Sequence, residues 1–154
     1  KLLIPFTNLS DDNVNWHEII SNIDADGSTP MGEAVELSLN LLEKRKEEYK
    51  NNGVSYYQPW FVMITDGEPT DSEWEKAARR LYNAEQNKRV FPMVVGTKDA
   101  DFYNLEKFVS EPIQLEGLKF QEFFSWLSAS MSRVSTSVVG EEVTLPPKTG
   151  WQAL

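Results

Sequence analysis

Residues Trp60 to Thr65 read Trp-Phe-Val-Met-Ile-Thr, and they lead directly into Asp66-Gly67-Glu68-Pro69-Thr70-Asp71. A strand with one wet face alternates apolar and polar residues, so this unbroken apolar run predicts a strand buried on both faces, the pattern of a central parallel strand. The acidic segment after it is rich in turn formers. Trp74, Ala78 and Leu81 then recur at helical spacing, completing a strand, loop and helix unit. A second apolar run, Val90 to Val95, ends at Gly96, although Pro92 is an awkward residue for a central strand because it has no N–H to donate.

Around this unit the chain alternates in kind. Leu2, Leu3, Ile4 and Phe6 suggest an edge strand broken by Pro5, and Ser10 to Ala25 suggest a short helix entered through Asp11 or Asp12. Met31, Val35, Leu39 and Leu42 stack on one face of a helix predicted from Pro30 to about Tyr49, with Thr29 as N-cap, Pro30 in the first helical position, and Asn51, Asn52 and Gly53 as the stop. Glu43 to Glu48 form a mixed charge run that reads as a solvated face. Further on come a helix near Asp101 to Val109, a short run at Pro112 to Leu115, and a long helix from Leu118 to Val134. In that last helix Phe120, Phe123, Phe124, Leu127, Met131 and Val134 form an apolar stripe expected to pack in the core. Residues 135–154 lose periodicity and are expected to be a C-terminal tail, leaving 1–134 as the domain. Strands alternating with helices predict a three-layer α/β domain with a mostly parallel sheet, whose ligands sit at the C-terminal ends of the strands.

Composition narrows the function. The 154 residues carry a formal charge of −9, so attraction to nucleic-acid phosphates or to anionic lipid is not expected, and a cation is the more natural ligand. No apolar run is long enough to cross a bilayer and no secretory signal is visible, so a soluble, cytoplasmic protein is expected. The absence of cysteine fits a reducing compartment and excludes a thiolate metal site or a cysteine nucleophile. His17, the single histidine, leaves no catalytic histidine pair and is expected to be structural.

Two oxygen-rich loops remain. Asp26-Gly27-Ser28-Thr29-Pro30-Met31-Gly32 delivers hydroxyls to a helix start, and Ile64-Thr65-Asp66-Gly67-Glu68-Pro69-Thr70-Asp71 delivers carboxylates to a strand end. Hard divalent cations such as Mg²⁺ take oxygen ligands of this kind and keep several waters. Helix capping by Thr29 and turn formation by Asp66 account for the same residues without a metal. Glu68 and Asp71 fit either a metal surround or turn and helix-start roles.

Taken together, the loops resemble the von Willebrand factor type A (vWA) domain and its metal-ion-dependent adhesion site. The resemblance identifies Thr29, in Gly27-Ser28-Thr29-Pro30-Met31-Gly32, and Asp66, after an apolar strand and before Gly67, as metal ligands. It implies a three-layer Rossmann-like fold, a bound Mg²⁺ or other divalent cation, no catalysis, and a protein partner whose acidic residue completes the metal shell. The wording of the motifs is most similar to the short bacterial vWA proteins of tellurium-resistance and stress-response systems. The family's first metal segment, Asp-x-Ser-x-Ser, is absent from these residues. The chain, starting at Lys1, is therefore expected to enter the fold late, with Trp60 to Thr65 exposing an apolar edge that a separate chain, a second copy or a preceding segment covers.

An enzymatic alternative comes from Asp24-Ala25-Asp26-Gly27-Ser28, which resembles the signature of Mg²⁺-dependent haloacid-dehalogenase-like phosphatases, with Asp24 as nucleophile and Asp26 as acid/base. That signature should end an apolar strand, whereas Ser21 and Asn22 interrupt the preceding run. An EF-hand reading fails because the twelfth position from Asp24 is Val35 instead of glutamate.

Overall fold

The computed structural model describes residues 2–8, 14–23, 27–65 and 68–153. Its elements in chain order are α1 (Trp16–Ser21), α2 (Met31–Asn51), β1 (Trp60–Thr65), α3 (Trp74–Gln86), β2 (Phe91–Gly96), α4 (Phe102–Leu105), β3 (Ile113–Gln114) and α5 (Phe120–Thr136). The three strands form a parallel sheet in the order β1-β2-β3. One face carries α2, α3 and α4, with Met31, Val35, Leu39, Ala77, Ala78 and Leu81 buried against Phe61 and Val94. The other face carries α5 and the C-terminal segment, with Phe123, Trp126 and Trp151 packed on Met93, Val95 and Ile113. This is the three-layer α/β arrangement that the alternation of strands and helices predicts.

The apolar stripe of α2 is buried as its 3.6-residue period requires, with Met31, Val35 and Leu39 at 4% exposure or less. Its ends differ from expectation. Pro30 stands at the cap position and the helix begins at Met31, while the last turn runs on to Asn51, with Gly53 beyond it at a φ of 65°. The α1 helix is shorter than predicted, because the Asn15 side chain accepts from the Glu18 N–H and caps it there. Asp11 and Asp12 lie outside the described residues. Residues 2–8 form no strand. Pro5 withholds a donor, and instead of joining a ladder the segment sets Phe6 beneath the Arg45 guanidinium, 5.1 Å from the ring centroid. The predicted 101–109 helix is a single turn, α4, capped by Asp101 through the Asn104 N–H.

Strand β1 corrects the expectation of burial on both faces. Its register partners show why: Phe61 and Met63 lie opposite Pro92 and Val94 on the α2/α3 face, whereas Val62 and Ile64 lie opposite Met93 and Val95 on the α5 face. Helix α5 covers Met93 and Val95 at 2% and 0% exposure but stops short of Val62 and Ile64, which are 37% and 38% exposed. Among the described residues β1 is an edge strand, paired only with β2. The exposed apolar edge expected of this run is therefore present.

Pro92 does occupy the central strand. Backbone bonds from Phe91 N–H to Pro59 C=O and from Thr97 N–H to Thr65 C=O aim the odd-numbered residues of β2 at β1. The nitrogen of Pro92 therefore faces the β3 side, where pairing begins only at Val95. No ladder bond is lost.

The α5 stripe is rotated from the predicted one. Trp126 and Ser130 join Phe123 in the core, while Phe124 and Met131 are 51% and 49% exposed. Trp126 Nε1 donates to the Pro146 carbonyl at 2.8 Å, and the segment after α5 returns to β3 through Glu116 N–H to Trp151 C=O and Ala153 N–H to Gln114 C=O. Trp151 ends at 1% exposure, edge-on to Phe123 with centroids 5.0 Å apart.

Candidate functional site

The two loops singled out in the sequence meet at the start of α2. A helix N-terminus leaves four backbone N–H groups without intrahelical partners. Here Met31 N–H bonds the Thr29 carbonyl at 2.8 Å and Ala34 N–H bonds the Pro30 carbonyl at 3.1 Å. Gly32 N–H and Glu33 N–H donate to Asp71 Oδ1 and Oδ2, each at 3.1 Å. The capping carboxylate thus comes from the loop before α3 instead of from Thr29, and its charge lies at the positive end of the α2 dipole. Of the two roles left open for Asp71, the helix-start role is the one observed. Both of its oxygens are engaged.

Close approach fixes the glycine in Thr29-Pro30-Met31-Gly32. A Cβ on Gly32 would stand 2.4 Å from Asp71 Oδ2 and 2.5 Å from the Trp74 Cα. Trp74 in turn stacks on Phe108 with centroids 5.8 Å apart, so the start of α3 is held against the core as well as against α2.

Thr29 lies in this junction, half-buried. Its carbonyl accepts a second bond, from Thr70 N–H at 3.0 Å, which ties the threonine loop directly to the acidic loop. Its hydroxyl takes no hydrogen-bond partner among the described residues. Thr65, the last residue of β1, accepts from Thr97 N–H, so the ends of β1 and β2 open on the same side of the sheet. Asp66 and Gly67 follow Thr65 but lie outside the described residues, as do Asp24 and Asp26 of the alternative phosphatase signature. Glu68 is described and exposed, and so is His17. Among the described residues no group of three His, Asp or Glu side chains gathers as a metal cage. What the junction offers among the described residues is a hydroxyl beside a loop that carries the carboxylates of Glu68 and Asp71. Such oxygen donors suit a hard cation that keeps most of its shell as water.

The acidic cap was not legible in the sequence. Asp71 is 39 positions from Gly32, and a local capping pattern points to Thr29 instead. The only available signal was the acidic residue itself, three before Trp74.

Comparison with known families matches residues 1–125 to the von Willebrand factor type A domain. Neither the curated proteins nor the solved structures contain a match to this chain.

Proposed function

Because this chain belongs to the von Willebrand factor type A family, whose domains are commonly metal-dependent protein-interaction modules, we propose that it holds a divalent cation and uses it to bind a protein partner. Mg²⁺ is the ion assigned, with the Thr29 hydroxyl and the Asp66 carboxylate as its protein ligands and water in the remaining positions. Asp71 is not assigned, since its carboxylate is held on the amides at the start of α2. The observation that carries the reading is the bond from Thr70 N–H to the Thr29 carbonyl, which holds half-buried Thr29, whose hydroxyl has no partner among the described residues, beside the loop that begins at Asp66.

The partner contributes an acidic side chain to the open side of the ion. Approach of a carboxylate to a chain of charge −9 meets repulsion, and a bound dication reverses that sign locally. No turnover is assigned. The wording of the two loop motifs supports a cytoplasmic bacterial system of the tellurium-resistance or stress-response kind.

The reading is tested by calorimetric titration of Mg²⁺ into the chain and into Thr29→Val and Asp66→Asn. Weak saturable binding is expected, because one ligand is neutral and the other carries a single charge, and Asp66→Asn should abolish it. Absence of binding to the parent chain, or equal binding to all three proteins, would overturn the assignment.

A further inference from the structure

A positively charged surface of this acidic chain runs along the α2/α3 pair. The two helices run side by side in the same direction: Gly32 meets Trp74 at one end, and Lys46 Nζ donates to the Arg89 carbonyl at 2.9 Å at the other. Between them runs a surface groove of about 390 Å³, in which Lys76, Arg79, Arg80 and Arg89 face a single lining carboxylate, Glu43.

The internal pairing leaves positive charge over. Glu43 gives one oxygen to Arg80 at 2.9 Å and the other to Arg89 at 3.2 Å, and Arg80 also pairs with Glu36. Arg79 reaches only Glu75, at 3.9 Å, and that carboxylate is shared with Lys107 at the same distance. Lys76 has no ion-pair partner among the described residues. Burial, and then the Arg89 charge, lower the pKa of neighbouring Lys46 against the raising effect of Glu43.

We propose that this groove binds an extended acidic segment of a partner protein, with carboxylates on Lys76, Arg79 and Arg89. Shape favours a peptide over a lone anion: Lys76 to Asn87 spans about 16 Å along α3 at the helical rise, the reach of roughly five extended residues. Asn83 and Asn87 line the same row and suit peptide amides. A nucleic acid is disfavoured because no aromatic ring lines the groove to stack a base. Arg80 is held by Glu36 and Glu43 of α2, while Lys76 and Arg79 project from α3 and Arg89 follows its C-terminal end.

The probe is a fluorescein-labelled hexaglutamate peptide, titrated with the full chain by fluorescence anisotropy at low salt and at roughly 0.15 M salt. Saturable binding that weakens with salt is expected. Lys76→Glu/Arg79→Glu should weaken it by at least about tenfold, while Lys98→Glu, on an exposed turn outside the groove, should change it by less than about twofold. Circular dichroism melting establishes that each variant is folded, and Lys76→Gln/Arg79→Gln replaces the double reversal if that one is not. Binding should be indifferent to EDTA, which separates this surface from the metal reading. No saturable binding at low salt, an equal loss in Lys98→Glu, or displacement by inorganic phosphate or a six-nucleotide oligothymidylate as effective as by unlabelled peptide would overturn the proposal.

Discussion

Asp71 Oδ1 accepts the Gly32 N–H at 3.1 Å across 39 positions of sequence, and the space between the two residues has no room for a Cβ. Helix capping, the entry to α3 and the junction of the two loops all depend on this one approach. Asp71→Ala should therefore lower stability by about 1–2 kcal/mol in urea unfolding, the usual cost of a lost N-cap. Gly32→Ala should cost more, about 2–3 kcal/mol, since the inserted methyl meets the Trp74 backbone as well as the Asp71 carboxylate that caps the helix. Equal or smaller loss in Gly32→Ala would show that the helices separate freely.

Leu81 is fully buried between α3 and the sheet. Leu81→Ala is expected to cost about 2–5 kcal/mol, the loss of a fully buried leucine with the cavity it leaves. Chemical denaturation of the purified variant measures it.

The C-terminal segment is held as part of the second core layer. Trp151→Ala should destabilise by about 3–5 kcal/mol. Trp151→Phe should cost clearly less, since the indole Nε1 has no hydrogen-bond partner among the described residues and its loss orphans nothing. Thermal melts of the two variants that coincide would sink this account.

Lys46 supplies the pH dependence. Its folded-state pKa is lowered from 10.5, first by burial and then by Arg89, against Glu43. The unfolded chain holds this proton more tightly, so between the lowered value and 10.5 the unfolded state binds more protons and the contribution of Lys46 to stability rises with pH. Lys46→Met should remove that rise. NMR titration of the Lys46 Nζ signals reads the pKa directly, and an ordinary or raised value would contradict the geometry.

Hydrolysis of an aryl phosphate with Mg²⁺ is expected from neither the parent chain nor Asp24→Asn. Activity in the first that is lost in the second would establish the phosphatase alternative.

Periodicity made one face of each long helix legible, because a 3.6-residue repeat directly states which positions share a side. Met31, Val35 and Leu39 are buried as that repeat requires. It said less about what covers an element. The apolar run of β1 was compatible with a central strand, yet Val62 and Ile64 lie where α5 does not reach, a matter of helix placement across the sheet and not of local composition. Trp126 escaped the α5 stripe for a related reason: the segment around Pro146 comes back to meet it from 20 positions away. At the candidate site the two loops announced themselves by residue type. Their union was expected from the family resemblance, but the bonds from the α2 amides to Asp71 were not, since a carboxylate capping a distant helix leaves no periodic trace.

Pro92 has a consequence for the assembly of the sheet. Its ring stands on the side of β2 that faces β3, three residues before pairing starts at Val95. If β3 slid four residues towards the start of β2, its pairing would fall on Pro92, which cannot donate, and that alignment would forfeit a bond, whereas a two-residue slip to Val94 would forfeit none. The proline is in this sense an end stop. It limits how far the two-residue strand Ile113–Gln114 can slide along β2, and the observed alignment is the one that the antiparallel bridge from Leu115 to Gln152 closes.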